Sequence, residues 1–222
     1  MASRNTVVVF AALAAVAAWA ADVVVAPTVA DVPPSAFDAG DGPLELKYDN
    51  NTRSFFFCDL TGRGRWVGND FDLSAISDYR AIMKIKVYSW PDWPNGKWDG
   101  FRLGIYGYAG GQPTSLLWGP KYYKPTRTGY GWCTCSVGWT LPPENKIFVA
   151  GVEQYYDYPD LDPMTLDSNL TFAGHSWLYE SGSWSKLPGV IGYRNLMLRV
   201  VVNNVPVDIT PTSVGRVKAL YY

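Results

Sequence analysis

In the stretch Trp98 to Tyr108, W-D-G-F-R-L-G-I-Y-G-Y, Phe101, Leu103 and Ile105 alternate with Arg102, Gly104 and Tyr106. A period of two puts the apolar set on one side of an extended segment and the polar and small set on the other. The turn A-G-G-Q-P at Ala109 to Pro113 follows, and an apolar run, Ser115 to Trp118, returns from it. The same plan of strand, tight turn and strand recurs along the rest of the chain, and no amphipathic helical period of useful length interrupts it. Turn residues recur at roughly the 8–12-residue spacing of two packed antiparallel sheets. The chain therefore reads as all-β, an antiparallel two-sheet β-sandwich.

Around this hairpin the strands follow in order. Leu44–Tyr48 and Ser54–Asp59 flank the turn Asp49-Asn50-Asn51, and Trp66–Leu73 follows a loop at Thr61–Arg65. Asp78–Trp90 reads as a half-buried strand, with Met83, Ile85 and Val87 on one face and Lys84 and Lys86 in water. A long turn, Pro91–Lys97, leads into the hairpin. Gly129–Thr140 is the next strand. Lys146–Gln154 and Asn195–Val202 are apolar on both sides, the mark of central strands. Tyr155–Asn169 reads as an acidic, aromatic loop. Thr171–Tyr179 and Ser183–Leu187 form a hairpin about Glu180-Ser181-Gly182.

The N-terminus reads as an export signal. Arg4 supplies the positive start, Val7 to Ala18 is an unbroken apolar run, and Ala18-Trp19-Ala20 is a small-x-small cleavage site. The run is short for a membrane anchor, which needs about 20 residues. The expected organisation is a signal peptide (1–21), a linker (22–43), a sandwich (44–205) and a tail or terminal strand (206–222), the whole secreted or held at the cell surface. No later segment is long and apolar enough to span a bilayer as a helix. Export allows one disulfide among Cys58, Cys133 and Cys135, with Cys58 joined to either of the others; the alternative is three buried small side chains.

The formal net charge of -1 offers no basic surface for nucleic acid. With a single histidine, His175, a serine-type triad has one available base, and no G-x-S-x-G elbow accompanies it. A glycosidase would need paired carboxylates, for which Glu153 with Asp99 or Asp157 are the candidates. Asp157, Asp160, Asp162 and Asp167 crowd one loop and would supply oxygens to a structural calcium ion; otherwise they form a solvated acidic loop. Aromatic residues make up 15% of the chain. Trp90, Trp93 and Trp98 surround one turn together with Asp92 and Asn95, and Tyr155, Tyr156 and Tyr158 form a second group. Indoles and phenols beside such polar groups would stack on sugar rings, or else pack over the end of the sandwich.

The motif order resembles a jelly-roll-like β-sandwich module of secreted bacterial proteins. It is carried by L-K-Y-D-N-N-T (Leu46–Thr52), F-R-L-G-I-Y-G-Y-A-G-G-Q-P-T-S-L-L from Phe101, G-W-C-T-C-S-V (Gly131–Val137) and I-F-V-A-G-V-E-Q (Ile147–Gln154). P-x-L-D from Pro159, G-H-S-W-L-Y-E-S-G-S-W from Gly174 and N-L-M-L-R-V-V-V from Asn195 complete it. The terminal T-S-V-G-R-V-K-A-L-Y-Y is similar to a short sorting tail, T-[ST]-W-G-x-[IV]-K-x-L-[FY]-R, with Val214 and Tyr222 in place of its tryptophan and arginine. The resemblance implies a non-catalytic accessory or adhesion module whose partner is a glycan or a cell-surface protein. A structural envelope protein that assembles without a small ligand and a secreted hydrolase are the other classes to weigh.

Overall fold

The structure, a computed structural model, describes residues 23–26, 42–59, 64–76, 78–90, 100–126, 129–157, 160, 164–167, 174–187 and 195–204, with backbone alone at 23–26 and 54–59. In chain order its strands are β1 (Val23–Ala26), β2 (Leu44–Leu46), β3 (Arg53–Asp59), β4 (Trp66–Asp72), β5 (Ala81–Ser89), β6 (Phe101–Ala109) and β7 (Gln112–Tyr123). They continue with β8 (Gly131–Thr140), β9 (Ile147–Glu153), β10 (Met164–Asp167), β11 (Ser176–Glu180), β12 (Ser183–Lys186) and β13 (Leu198–Asn203). Among the described residues the one helical element is a 3-10 turn at Ser74–Ile76.

Two antiparallel sheets result. One runs β1-β3-β10-β5-β13-β2, with β8 added beside β5, and the other runs β12-β11-β4-β9-β6-β7. Between them lies the core: Ile82, Ile85, Val87, Leu198 and Val200 from the first sheet meet Phe71, Phe101, Ile105, Phe148 and Val152 from the second. Both strands whose sequence is apolar on both sides are flanked by a strand on each side. β9 sits between β4 and β6, and β13 between β5 and β2. A polar link also crosses the core. Asn69 on β4 is fully buried and donates from Nδ2 to the carbonyls of Leu196 (3.0 Å) and Leu198 (3.1 Å), while Ser176 Oγ donates to its Oδ1 at 2.8 Å.

Both hairpins turn through two residues in the left-handed region, Gly110-Gly111 and Ser181-Gly182. Such turns match the twist of the flanking strands. Three features depart from the sequence reading. Met164–Asp167, placed above in a loop, is a strand paired with β3, and it lies beside the short Leu196 bridge. Val23–Ala26, placed above in a linker, pairs with β3. Met83, assigned above to the inner face, is 39% exposed. Against β13 the pairing steps from Ile82 to Lys84 while β13 moves by one residue, Val202 to Val201, so Met83 is the extra residue of a bulge and Ile82 takes the core position instead. Residues 1–21, read above as a signal peptide, the Pro91–Lys97 segment and the Thr212–Tyr222 segment lie outside the described residues.

On the outer face of the first sheet, Arg199 is buried and held on every side. Its Nε donates to Asp49 Oδ2 (2.9 Å), its Nη1 to Glu45 Oε1 (2.8 Å) and its Nη2 to Asn51 Oδ1 (2.8 Å) and Asp49 Oδ1. Its guanidinium lies 4.1 Å from the Trp132 ring centroid, and Lys86 bonds Glu45 at 2.6 Å. This cluster pins the Asp49–Asn51 turn and strand β2 onto β13. Lys86, expected in water, is half-buried in it. Cys133 and Cys135 share the inward face of β8, both buried. The Cys135 thiol is free, and burial pushes its pKa far up. The Cys58 side chain lies outside the described residues.

Candidate ligand-binding face

The second sheet carries an aromatic and polar surface on the side away from the core. On β6 the inward phase is Phe101, Leu103 and Ile105, so Arg102, Gly104, Tyr106 and Tyr108 face outward. The same alternation turns Trp66, Gly68 and Asp70 of β4 outward, with Val149, Gly151 and Glu153 of β9 and Trp177 and Tyr179 of β11. Strand register then assembles rows across the sheet. One row crosses all six strands, Trp184–Tyr179–Trp66–Glu153–Arg102–Tyr122. The neighbouring row is Lys186–Trp177–Gly68–Gly151–Gly104.

Three consecutive glycines leave a shallow trough, and aromatic rings lie down in it. A Cβ at Gly151 would touch Trp66 Cε3 and Tyr106 Cε2, each at 3.4 Å, and one at Gly104 would sit 3.1 Å from Trp66 Cζ3. Trp66 is thereby 6% exposed and serves as a floor. Tyr106 stands edge-on to Trp66 (5.4 Å between centroids) and to Trp184 (5.0 Å), and Trp184 leans on Tyr179 at 5.2 Å. These rings line a cleft of about 640 Å³ whose rim carries Gln112, Thr114, Ser115 and Ser183. Burial and the Glu153 charge raise the Tyr106 pKa, so its phenol stays protonated and able to donate at neutral pH.

At the cleft's end Arg102 is paired through Nε and Nη2 with Glu153, whose other oxygen accepts from Gly64 N–H at 2.7 Å. Glu153 is fully buried, and its hydrogen bond holds the Arg102 guanidinium firmly charged. Further along the strands Asp70 accepts from Trp177 Nε1 (2.6 Å) and Lys186 Nζ (3.2 Å) and is paired with His175 Nδ1 at 2.5 Å. The His175 ring stacks on Tyr48, with centroids 3.9 Å apart.

The residues singled out from sequence fall as follows. Tyr155 stacks on Arg102 (4.5 Å to the ring centroid) and touches Tyr122 and Tyr156, so this group adjoins the outer face of the second sheet. Trp90 is half-buried at the end of β5, edge-on to Tyr130, whose ring also carries the Arg53 guanidinium at 3.7 Å. Trp93, Trp98, Asp92, Asn95, Asp99, Tyr158 and Asp162 lie outside the described residues. Asp157 is exposed and its carbonyl accepts from Asp160 N–H (2.8 Å). Asp167 is fully buried on β10, where it accepts from Asn50 N–H, Asn195 N–H and Asn195 Nδ2. Among the described residues no three His, Cys, Asp or Glu side chains converge to hold a metal ion.

No protein-family model matches the chain, and no curated protein matches it in sequence. The chain is similar in fold to a solved structure. It is that of the cysteine protease and lectin-like domains of Cwp84, a surface layer associated protein of Clostridium difficile, at a TM-score of 0.55 and 10% identity. The match covers 77% of this chain and 37% of that one, so the present chain spans little more than a third of its length. At that identity the likeness is one of fold, and it agrees with the two-sheet sandwich.

Trp66, Tyr106, Tyr179 and Trp184 were not singled out as site residues from sequence. The available signal was the outward phase of β6, where arginine, glycine and tyrosines alternate with the core set.

Proposed function

We propose that this chain is a non-catalytic carbohydrate-binding module of an exported or cell-surface protein, and that the outer face of the six-stranded sheet is its ligand surface. The observation that carries this is the cleft in which Tyr106 stands edge-on to Trp184 and to the Trp66 floor while Trp184 leans on Tyr179, with hydroxyl and amide groups lining it. Sugar rings offer one apolar face and a girdle of hydroxyls, and this cleft offers the complement of both. The fold likeness to a chain that includes a lectin-like domain and comes from a surface layer associated protein supports the same assignment. So does the state of Glu153, whose two oxygens are already occupied by Arg102 and Gly64. The chain is further assigned to the jelly-roll-like modules of secreted bacterial proteins, with Thr212–Tyr222 as its sorting tail.

A glycan array of the purified protein tests the proposal. Binding is expected, and Trp184→Ala should weaken it about tenfold or more, the contribution of one stacked ring, without a change in the unfolding midpoint. Full binding by Trp184→Ala together with Tyr106→Ala would remove the cleft as the site.

A further inference from the structure

We infer that the ligand is a linear, uncharged polysaccharide laid across the strands, and that its track continues beyond the cleft, over Arg102, to Tyr122, Tyr155 and Tyr156. This rests on the carbohydrate assignment above and adds the length, direction and charge of the ligand.

Direction and length come from the register. Trp184, Tyr179, Trp66, Glu153, Arg102 and Tyr122 are directly paired neighbours from one edge of the sheet to the other. Five inter-strand steps of ~4.8 Å make this row about 24 Å long. A pyranose repeat of about 5 Å nearly equals one inter-strand step of ~4.8 Å, so a straight chain stays in phase with the row. The row has aromatic rings at both ends. Trp184 and Tyr179 stand at one, and Tyr122, 43% exposed, stands at the other with Tyr155 6.0 Å away. A single sugar reaches one of these groups; only a chain of several residues reaches both. The second aromatic group reaches in from the sheet edge as far as Arg102, because Tyr155 lies over the Arg102 guanidinium and beside Tyr122.

Charge follows from the pairings. Arg102 is neutralised by buried Glu153, and in the next rows Lys186 is matched by Asp70. An anionic polymer would find each of these cations already matched by a buried carboxylate. The rim hydroxyls and amides suit a neutral chain.

The test is a length series. Intrinsic tryptophan fluorescence and calorimetry would follow binding of cello- and chito-oligosaccharides from disaccharide to hexasaccharide, with oligogalacturonates as the anionic comparison. Affinity should rise at least about tenfold from disaccharide to pentasaccharide, one stacked ring or more, and then level off. Tyr122→Ala with Tyr155→Ala should abolish that rise. Tyr155→Phe, which keeps the ring, should retain it. Affinity independent of length, or a rise untouched by the double variant, overturns the extended track while leaving the cleft intact. Tighter binding of oligogalacturonates overturns the charge assignment. No binding of any probe at any length would overturn the carbohydrate assignment itself.

Discussion

Gly68, Gly151 and Gly104 set the height of the outer surface: a side chain would stand between Trp66 and Tyr106 at Gly151, against Leu116 and Trp66 at Gly104, and against the neighbouring backbone at Gly68. They are not equivalent. A Cβ on Gly68 would collide with the backbone carbonyl of Ala150 on the neighbouring strand, which cannot move without disturbing the ladder. One on Gly104 would press the end of Leu116, a flexible side chain at 37% exposure, as well as the edge of Trp66. Gly68→Ala is therefore expected to cost about 1–3 kcal/mol, as overpacking does, and Gly104→Ala markedly less. Urea denaturation of the two variants side by side checks the ordering. Equal losses would mean that the trough is not held by backbone contact.

At the scale of strands and turns, the hairpin between β11 and β12 turns through Ser181 (φ 51°) and Gly182 (φ 85°). Both are left-handed, and serine is a poor occupant of that region compared with asparagine. Ser181→Asn is expected to stabilise the protein by roughly 0.5 kcal/mol, the benefit of a residue suited to positive φ. A chevron or urea midpoint would show it, and a loss instead would mean that the serine hydroxyl matters more than the backbone. The strands whose apolar residues keep strict alternation, β6 above all, were legible from sequence, as were the central strands β9 and β13 and both hairpin turns. β10 was not legible: Met-Thr-Leu-Asp is too short to show a period, and its pairing with β3 is a matter of long-range register. Nor was the β5 bulge, since one extra residue reverses the phase of Met83 without any local turn signal. The proposed ligand face was not legible for a related reason. Trp66, Tyr106 and Trp184 each lie in a different strand, and only the cross-strand register puts their rings together.

For the molecule as a whole, the two sheets differ in what covers their outer sides. The second is surfaced by aromatic rings, the first by the ionic cluster around Arg199, and that cluster links stability to pH. Burial alone would raise the Glu45 carboxyl, but the hydrogen bonds and charges of Lys86 and Arg199 prevail and hold its pKa below the ordinary 4.5. A carboxyl depressed on folding contributes stability that is fully present above its unfolded value and is lost as the pH falls from there through the folded value. Asp167 has the opposite sign. Burial raises its pKa despite the hydrogen bonds from Asn195 and Asn50, so its cost is relieved as the pH falls through the raised value toward 3.8. Glu45→Gln should therefore lower stability at neutral pH and flatten its decline below about pH 4.5, where the wild-type contribution fades. Unfolding free energies measured from pH 7 to pH 3 would decide it; parallel curves for the two proteins would discount the cluster.

The sealed position of Cys135 gives the sandwich an internal clock. A thiol so deeply placed, with its ionisation suppressed, has little thiolate to offer an alkylating reagent while the sheets stay shut. Its rate of modification, located by tandem mass spectrometry, therefore counts how often β8 parts from the layer beneath it. A glycan that bridges only the far sheet should slow that count solely to the extent that it steadies both layers together.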